Sequence, residues 1–338
     1  MPEKFDKTSP SFWTEFSSAT PSEFPTQFYK AHKHFRIENL QFPSINTQTI
    51  KEYFLYDKST AHKDRRETLV FKCCHFEDFE ALNIDATLVF EGCTFEKKVE
   101  LTSSGKGVRF LHTSFMGDVI IAGSGSRLCQ LELIDCSFIK AVKLSNFDFT
   151  NEQSQVTGTF PSRFNLIKFK KSLLIIDVTF SKELVFNSVT WPKKIIANRD
   201  ILRQLKVCME EQKNVLQANV FHSLEMDEYR KELSWKRPED WQDLLVFTLN
   251  KAISNNTLSW LRPLFLIMVV SYIFYSMVCG WDSIFTCGWN GFFSFMSPLN
   301  RTPELYQSVY ALWFIHKVVM VVLVYHLVVA LKRKTKFG

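Results

Sequence analysis

One phrase recurs six times between His75 and Phe186: a small polar residue, then Phe, then three variable positions, then two apolar residues flanking a variable one. The copies are His75-Phe76 to Leu82, Thr94-Phe95 to Leu101, Ser114-Phe115 to Ile121, Ser137-Phe138 to Leu144, Thr159-Phe160 to Leu166 and Thr179-Phe180 to Phe186. A period of about 20 residues calls for stacked structural repeats before any other fold. A small side chain stands two positions before each Phe, at Cys74, Cys93, Thr113, Cys136, Gly158 and Val178. An apolar residue often stands five before it, at Phe71, Phe90, Phe110, Leu133 and Ile175. A spacing of five fits neither the strand period of 2 nor the helical 3.6. It fits a square coil whose every side contributes one inward side chain.

This pattern resembles the pentapeptide-repeat family in a degenerate form, over roughly residues 68 to 191. The resemblance implies a β-solenoid, a right-handed quadrilateral β-helix with four sides of five residues per coil and a stacked Phe column as its core. Six coils at the strand spacing of about 4.8 Å make a rod on the order of 25 to 30 Å long. Several sides lack the family's central Leu or Phe, so irregular coils are expected. Gly105, Gly107, Gly123 and Gly125 fall in expected corners, where they permit tight turns.

The remaining chain divides around this block. Residues 1–67 are an N-terminal extension whose aromatics, Phe12, Trp13, Phe16, Phe24, Phe28, Tyr29 and Phe35, are expected to cap the open first coil. No basic stretch followed by an apolar run opens the sequence, so no secretory signal is expected. Residues 68–196 are the solenoid and 197–258 a helical linker: a polar helix from about Arg199 to Trp235, then Pro238 starting a second that runs to about Ser254. Residues 259–338 form a transmembrane domain with spans over about 263–281 and 309–331, each near the roughly 20 apolar residues needed to cross a bilayer.

Lys332, Arg333, Lys334 and Lys336 follow the second span and Lys251 and Arg262 precede the first, whereas the connecting loop has only Arg301. The positive-inside bias puts both termini and the repeats in the cytoplasm. Trp281, Trp289, Trp313, Tyr306 and Tyr310 flank the outer side, and Phe292, Phe293, Phe295 and Met296 make the loop apolar enough to dip into the interface or form a short re-entrant segment. No Thr-Val-Gly-Tyr-Gly filter occurs.

The linker segment from Phe221 to Arg230, the stretch Trp260-Leu261-Arg262-Pro263-Leu264 and the closing Val329-Ala330-Leu331-Lys332-Arg333-Lys334 extend the resemblance to most of the chain. The whole is similar to the ion-channel effectors of bacterial antiphage systems, with the Hailong membrane effectors as the nearest architecture. That resemblance implies a two-pass protein of the bacterial inner membrane acting in abortive-infection defence. It also implies a homo-oligomeric pore, gated by a single-stranded nucleic-acid oligomer that a partner nucleotidyltransferase makes.

Two helices cannot enclose an aqueous path, so a pore requires several copies, with a tetramer as the working number. Lys317 is the sharpest pore candidate, because an ionisable side chain within a span is costly unless it faces protein or water. The alternative is that Lys317 snorkels to the outer interface. His316 and His326 are weaker candidates, about 80° apart on an ideal helix. Asp282 and Glu304 form either a charged outer ring or solvated loop carboxylates.

Lys140, Lys143, Arg163, Lys168, Lys170 and Lys171 outweigh Asp148 and Glu152 in the later repeats, with Phe147, Phe149 and Phe169 interspersed. Cations hold phosphates and aromatic faces stack bases, so the patch suits a short single strand, with Lys97 and Lys98 extending it. A plain solvated face with inward Phe residues is the competing reading. A net charge of +6 over 338 residues is too mild for a strongly basic nucleic-acid domain. Cys73, Cys74, His75, Cys93 and Cys136 invite a zinc site, but three of these cysteines hold the small-residue slot, so core packing and no metal are expected. Cys279 and Cys287 lie near the outer face, where a disulfide stays open. No phosphate-binding loop, nucleophile elbow or His-Glu-x-x-His is present, so neither catalysis nor a cofactor is expected. Two functions compete: a gated oligomeric channel, and a membrane-tethered scaffold that binds a protein partner without conducting ions.

Overall fold

The computed structural model describes residues 34–51, 68–84, 86–103, 107–123, 130–150, 162–181, 184–279, 283–297 and 310–335. The chain separates into two compact units, Met1–Gln212 and Lys213–Gly338.

In the first unit every ladder is parallel, and most strands pair with the strand one repeat later. A seven-stranded sheet has the order β1 (His34–Glu38), β3 (Thr68–Lys72), β5 (Thr87–Glu91), β8 (Val108–Leu111), β11 (Leu131–Ile134), β14 (Arg163–Asn165) and β17 (Val185–Asn187). An eleven-stranded sheet runs from β15 (Lys168–Phe169) through β12 (Ser137–Phe138), β9 (Ser114–Phe115) and β6 (Thr94–Phe95) to β4 (His75–Ile84). It continues through β7 (Val99–Ser103), β10 (Val119–Ala122), β13 (Ala141–Asp148) and β16 (Ser172–Thr179) to β18 (Lys194–Ile196), with β2 (Gln41–Ile45) paired to β4.

This topology corrects the fold class expected from the repeat. Two large parallel sheets accompanied by seven helices make an α/β layout, not a quadrilateral β-solenoid of five-residue sides. The physical reason lies in burial along the strands. In β3 and β5 it alternates residue by residue, with the apolar Leu69, Phe71, Leu88 and Phe90 inward, which is the period of 2 of a half-buried strand. β4 runs for ten residues and β13 and β16 for eight, longer than any single side of a square coil.

The Phe residues do form the core. Phe42, Phe76, Phe95, Phe115, Phe138 and Phe169 stack face to face with centroids 4.5 to 5.1 Å apart. Phe71, Phe90 and Phe110 form a second stack at 5.0 to 5.1 Å. The two stacks meet edge to face, as at Phe90–Phe95 and Phe110–Phe115. Both arrangements suit the ring quadrupole and each pair adds about 0.5–1.5 kcal/mol beyond area burial. The fifth rung is Lys168-Phe169, in register with Ser137-Phe138, so Leu166 is exposed and Phe186 joins Phe164 in the seven-stranded sheet. Thr159-Phe160 and Gly158 lie outside the described residues.

Corners between the sheets repeat as well. Asn39, Cys73, Gly92, His112, Asp135, Leu166 and Ser188 all have φ between 51° and 64°. From Asn39 to Leu166, each of these N–H groups donates to a carbonyl of the next rung, as Cys73 does to Glu91 at 2.7 Å. A left-handed non-glycine residue costs roughly 1–2 kcal/mol, which the rung bond and the following buried Phe offset. Gly117 is a different constraint: a Cβ there would sit 1.4 Å from the Lys97 carbonyl oxygen.

The helices are α1 (Thr47–Thr49), α2 (Arg199–Glu211), α3 (Val215–Glu232), α4 (Trp241–Ser254), α5 (Leu261–Cys279), α6 (Ser283–Met296) and α7 (Tyr310–Thr335). Asn198 caps α2, its Oδ1 accepting from the Ile201 N–H at 2.8 Å. The helix covers the late rungs, with Gln204 accepting from the Phe180 N–H and Gln212 bonding both Phe186 and Leu184. An open strand edge is thereby closed. The expected single helix from Arg199 to Trp235 is two, broken at Lys213 (φ 58°) and restarted by the Asn214 cap.

In the second unit, α5 and α7 are long and apolar enough to cross a membrane, with mean hydropathy 1.8 over Leu261–Val278 and 2.2 over the most apolar 18 residues of Tyr310–Thr335. They pack through Ile267, Met320 and Leu323, and Ile253 of α4 joins that cluster. The apolar loop contains a full helix, α6, whose Phe292 and Phe295 enclose Tyr275.

Candidate functional site

Around α6 the sequence candidates separate into distinct environments. Lys317 donates from Nζ to the Ser297 carbonyl oxygen at 2.6 Å, one residue past the C-terminus of α6. A helix end carries partial negative charge on its unpaired carbonyls, so the ammonium caps it. Lys317 lies seven residues into α7. The geometry is that of a latch between α6 and α7.

His316 is fully buried and lies flat against Phe295, centroids 4.5 Å apart, with Phe274 at 5.1 Å. Neither ring nitrogen has a hydrogen-bond partner among the described residues. His326 is 7% exposed, contacts Tyr325 edge-on, and has an unpartnered Nδ1. Ser271 is buried on the same packed side and donates to the Met320 sulfur at 3.4 Å. Buried polar groups without partners cost free energy, so each calls for an explanation. The structure brings His316 and Lys317 together near the α6 terminus and leaves His326 farther along α7. Asp282 and Glu304 lie outside the described residues, as do the side chains of Cys279 and Cys287.

Sequence reasoning missed a polar knot where α4 turns into α5. Asn255, Asn256 and Thr257 have φ of 52°, 54° and 70°, an unusual run that includes a β-branched residue. Asn256 Nδ2 donates to the Ser223 carbonyl oxygen at 3.1 Å and to Asp227 at 3.0 Å, and Lys251 pairs with Asp227. Thr257 accepts from Arg333 of α7 at 2.5 Å. One turn of positive-φ residues thus connects α3, the start of α5 and the basic end of α7. Its signal in the sequence was only Asn255-Asn256, read as the end of a helix.

The basic candidates form an edge of the first unit. Ala141, Ser172 and Lys194 are cross-strand partners, so the preceding Lys140, Lys171 and Lys193 occupy one corner of three successive rungs, about 4.8 Å apart. Lys143, Lys168 and Lys170 flank them on the same sheet. None of these lysines pairs with an acid among the described residues. Earlier rungs differ: Lys97 pairs with Glu77 at 2.9 Å and Lys98 with Glu100 at 2.5 Å. Arg163 stands apart on the other sheet, on the rung after the Arg109–Glu132 pair. Phe147, Phe149 and Phe169 are buried in the core and present no face to a base. Lys193 was missed because the repeat was read as ending at Phe186.

The small-residue slot holds no metal cluster among the described residues. Its Cys74, Cys93, Thr113 and Cys136 side chains instead each reach two backbone carbonyls: Thr113 Oγ1 lies 3.0 Å from the Leu111 oxygen and 3.3 Å from Phe90, and Cys136 Sγ lies 3.4 Å from Ile134 and 3.3 Å from Phe110. Burial pushes the Cys136 thiol up to about 12. The bond between Cys74 and Cys93 lowers the former and, with burial, raises the latter. Cys93 and Cys136 are thus inert core thiols.

Comparison with protein-family models, with curated proteins and with solved structures finds no match for this chain.

Proposed function

We propose that this chain is a two-pass membrane protein whose spans assemble, in several copies, into an ion-conducting path controlled by the sheet unit. The observation that carries the reading is the set of polar side chains buried on the packed side of the spans, above all His316 with both ring nitrogens unpartnered. An apolar hairpin anchors a protein without them, and burying an unpartnered imidazole is a cost that selection removes unless it serves a purpose. The strained Asn255–Thr257 turn, tied to Arg333, is the element through which a change in α3 reaches both spans.

In this reading the termini are cytoplasmic, the positive charge of Lys332, Arg333 and Lys334 marking the inner side. The unpaired corner of Lys140, Lys171 and Lys193 receives a phosphate-rich ligand. The resemblance to antiphage channel effectors suggests a nucleic-acid oligomer, a nucleotidyltransferase partner and a bacterial inner membrane. A tetramer is the working assembly.

A second reading has one observation in its favour. Lys317 is engaged by the Ser297 carbonyl, a structural use that a tether shares with a channel.

Ion flux from vesicles containing the full chain distinguishes the two. The channel reading expects flux that responds to added oligonucleotides, falls with salt, and is lost in the triple variant Lys140→Glu, Lys171→Glu, Lys193→Glu. Silence under all conditions, with partner binding intact, leaves the tether.

A further inference from the structure

The amphipathic helix α4 leaves one face bare. Trp241, Leu245, Val246 and Leu249 are 53%, 56%, 52% and 44% exposed, and Trp235 just before the helix is 58% exposed. At 100° per residue the four helix side chains fall within an arc of about 140° that also holds Gln242, Ala252 and, in the last turn, the buried Ile253. The rest of the helix is occupied. Phe247 packs edge to face on Tyr229 of α3 at 5.1 Å, the Tyr229 hydroxyl donates to Asp243 at 3.2 Å, and Lys251 pairs with Asp227. Trp235 is fixed beside the helix start, its carbonyl accepting from Trp241 Nε1 at 2.6 Å.

We propose that this face lies in the bilayer interface, as an in-plane anchor that positions the α3–α4 pair on the membrane surface. The occupant follows from continuity with the spans. Ile253, in the last turn of α4, is packed among Ile267, Met320 and Leu323 of α5 and α7, so the bare face begins where the apolar span surface ends. Two tryptophans border it, and exposed Lys236 and Arg262 flank it with the charge that suits anionic headgroups. Scattered exposed apolar residues need no explanation, but five large ones on one helix and its lead-in do. The consequence for function is direct: the strained Asn255–Thr257 turn then joins a helix held in the membrane plane to one crossing it, so a tilt of α4 loads the first span.

This inference rests on the membrane reading, and the test separates the two. Benzoylphenylalanine is placed singly at Leu245, Leu249, Asp243 and Phe265 of the full chain in phosphatidylcholine–phosphatidylglycerol vesicles. After irradiation, intact mass reports lipid or protein adducts. The expected result is lipid adducts at Leu245 and Leu249 within about threefold of the yield at Phe265, and at least about fivefold above that at Asp243. Lipid adducts at Phe265 alone overturn the in-plane anchor and leave the spans intact. Chain-to-chain adducts at Leu245 and Leu249 also overturn it, assigning the face to a second copy. Absence of lipid adducts at Phe265 as well removes the membrane reading together with the anchor.

Discussion

Two buried polar side chains, Thr113 in the sheet unit and His316 in the helical unit, are treated in opposite ways. Thr113 and His316 are both fully buried. Thr113 sits in a repeated slot where its hydroxyl lies within reach of two carbonyls, the arrangement that Cys74, Cys93 and Cys136 reproduce with sulfur. His316 has aromatic rings on both sides and no partner. The first unit uses its buried polar atoms to fix register. The second carries one, His316, that finds no hydrogen-bond partner among the described residues and so costs stability there.

The sharpest break in this contrast comes from the core. Phe95 lies in the middle of the Phe76–Phe95–Phe115 stack and also meets Phe90 edge to face. Phe95→Ala removes both kinds of contact and leaves a cavity between rungs, a loss of about 3–5 kcal/mol. Denaturant unfolding followed separately for each unit should show the sheet transition moving and the helical one unchanged. If both move together, the two units do not unfold independently.

His316→Phe tests the other side. If the imidazole is an uncompensated cost, the replacement stabilises the helical unit by about 1–3 kcal/mol, because the ring keeps its place between Phe274 and Phe295 and the orphaned nitrogens go. The channel reading adds that flux should fall in the same variant. A destabilised variant with normal flux would show that the imidazole has a polar partner in the assembled protein and is not a conduction element.

Legibility in the sequence follows the same division. The Phe positions of the first four copies sit in the register that the spacing predicts, but the inward pair that follows Phe76 is Phe79 and Ala81, so the first copy is one residue out at Leu82. Phase is lost after Thr150, since Thr159-Phe160 falls outside the described residues and the next described rung is Lys168-Phe169. Thr179-Phe180 matched the phrase, yet Phe180 packs against Phe149 and the true next rung is Thr190-Trp191. The number of sheets was misread for a related reason: a one-per-five apolar count does not distinguish a short side from a long strand with alternate residues buried. In the helical unit length and hydropathy sufficed to find the two long apolar helices, but the contact of Lys317 with Ser297 depends on α6, which apolar composition alone did not identify as a helix. The knot at Asn256 depends on long-range partners at Ser223 and Asp227, and spacing carries no trace of them.

The smallest effect is a pH dependence confined to one unit. The described free thiols, Cys73, Cys74, Cys93, Cys136 and Cys208, all belong to the sheet unit. Burial holds Cys136 at about 12 and Cys208 at about 11, against 9.0 for an unperturbed thiol. A thiol raised in the folded state stays protonated there while the unfolded chain ionises. Its stabilising contribution is therefore complete below pH 9 and is lost progressively as pH rises towards about 12 for Cys136 and about 11 for Cys208. Thermal unfolding between pH 8 and about pH 11 should lower the sheet transition more in the native chain than in Cys136→Ala, after normalising each to its value at pH 8. Other groups titrate in the same range, so the difference between the two proteins is the quantity that reports on Cys136. Equal slopes would mean that the thiol is solvated in the folded chain, and would remove the contrast between the buried Cys136 slot and the buried His316 ring.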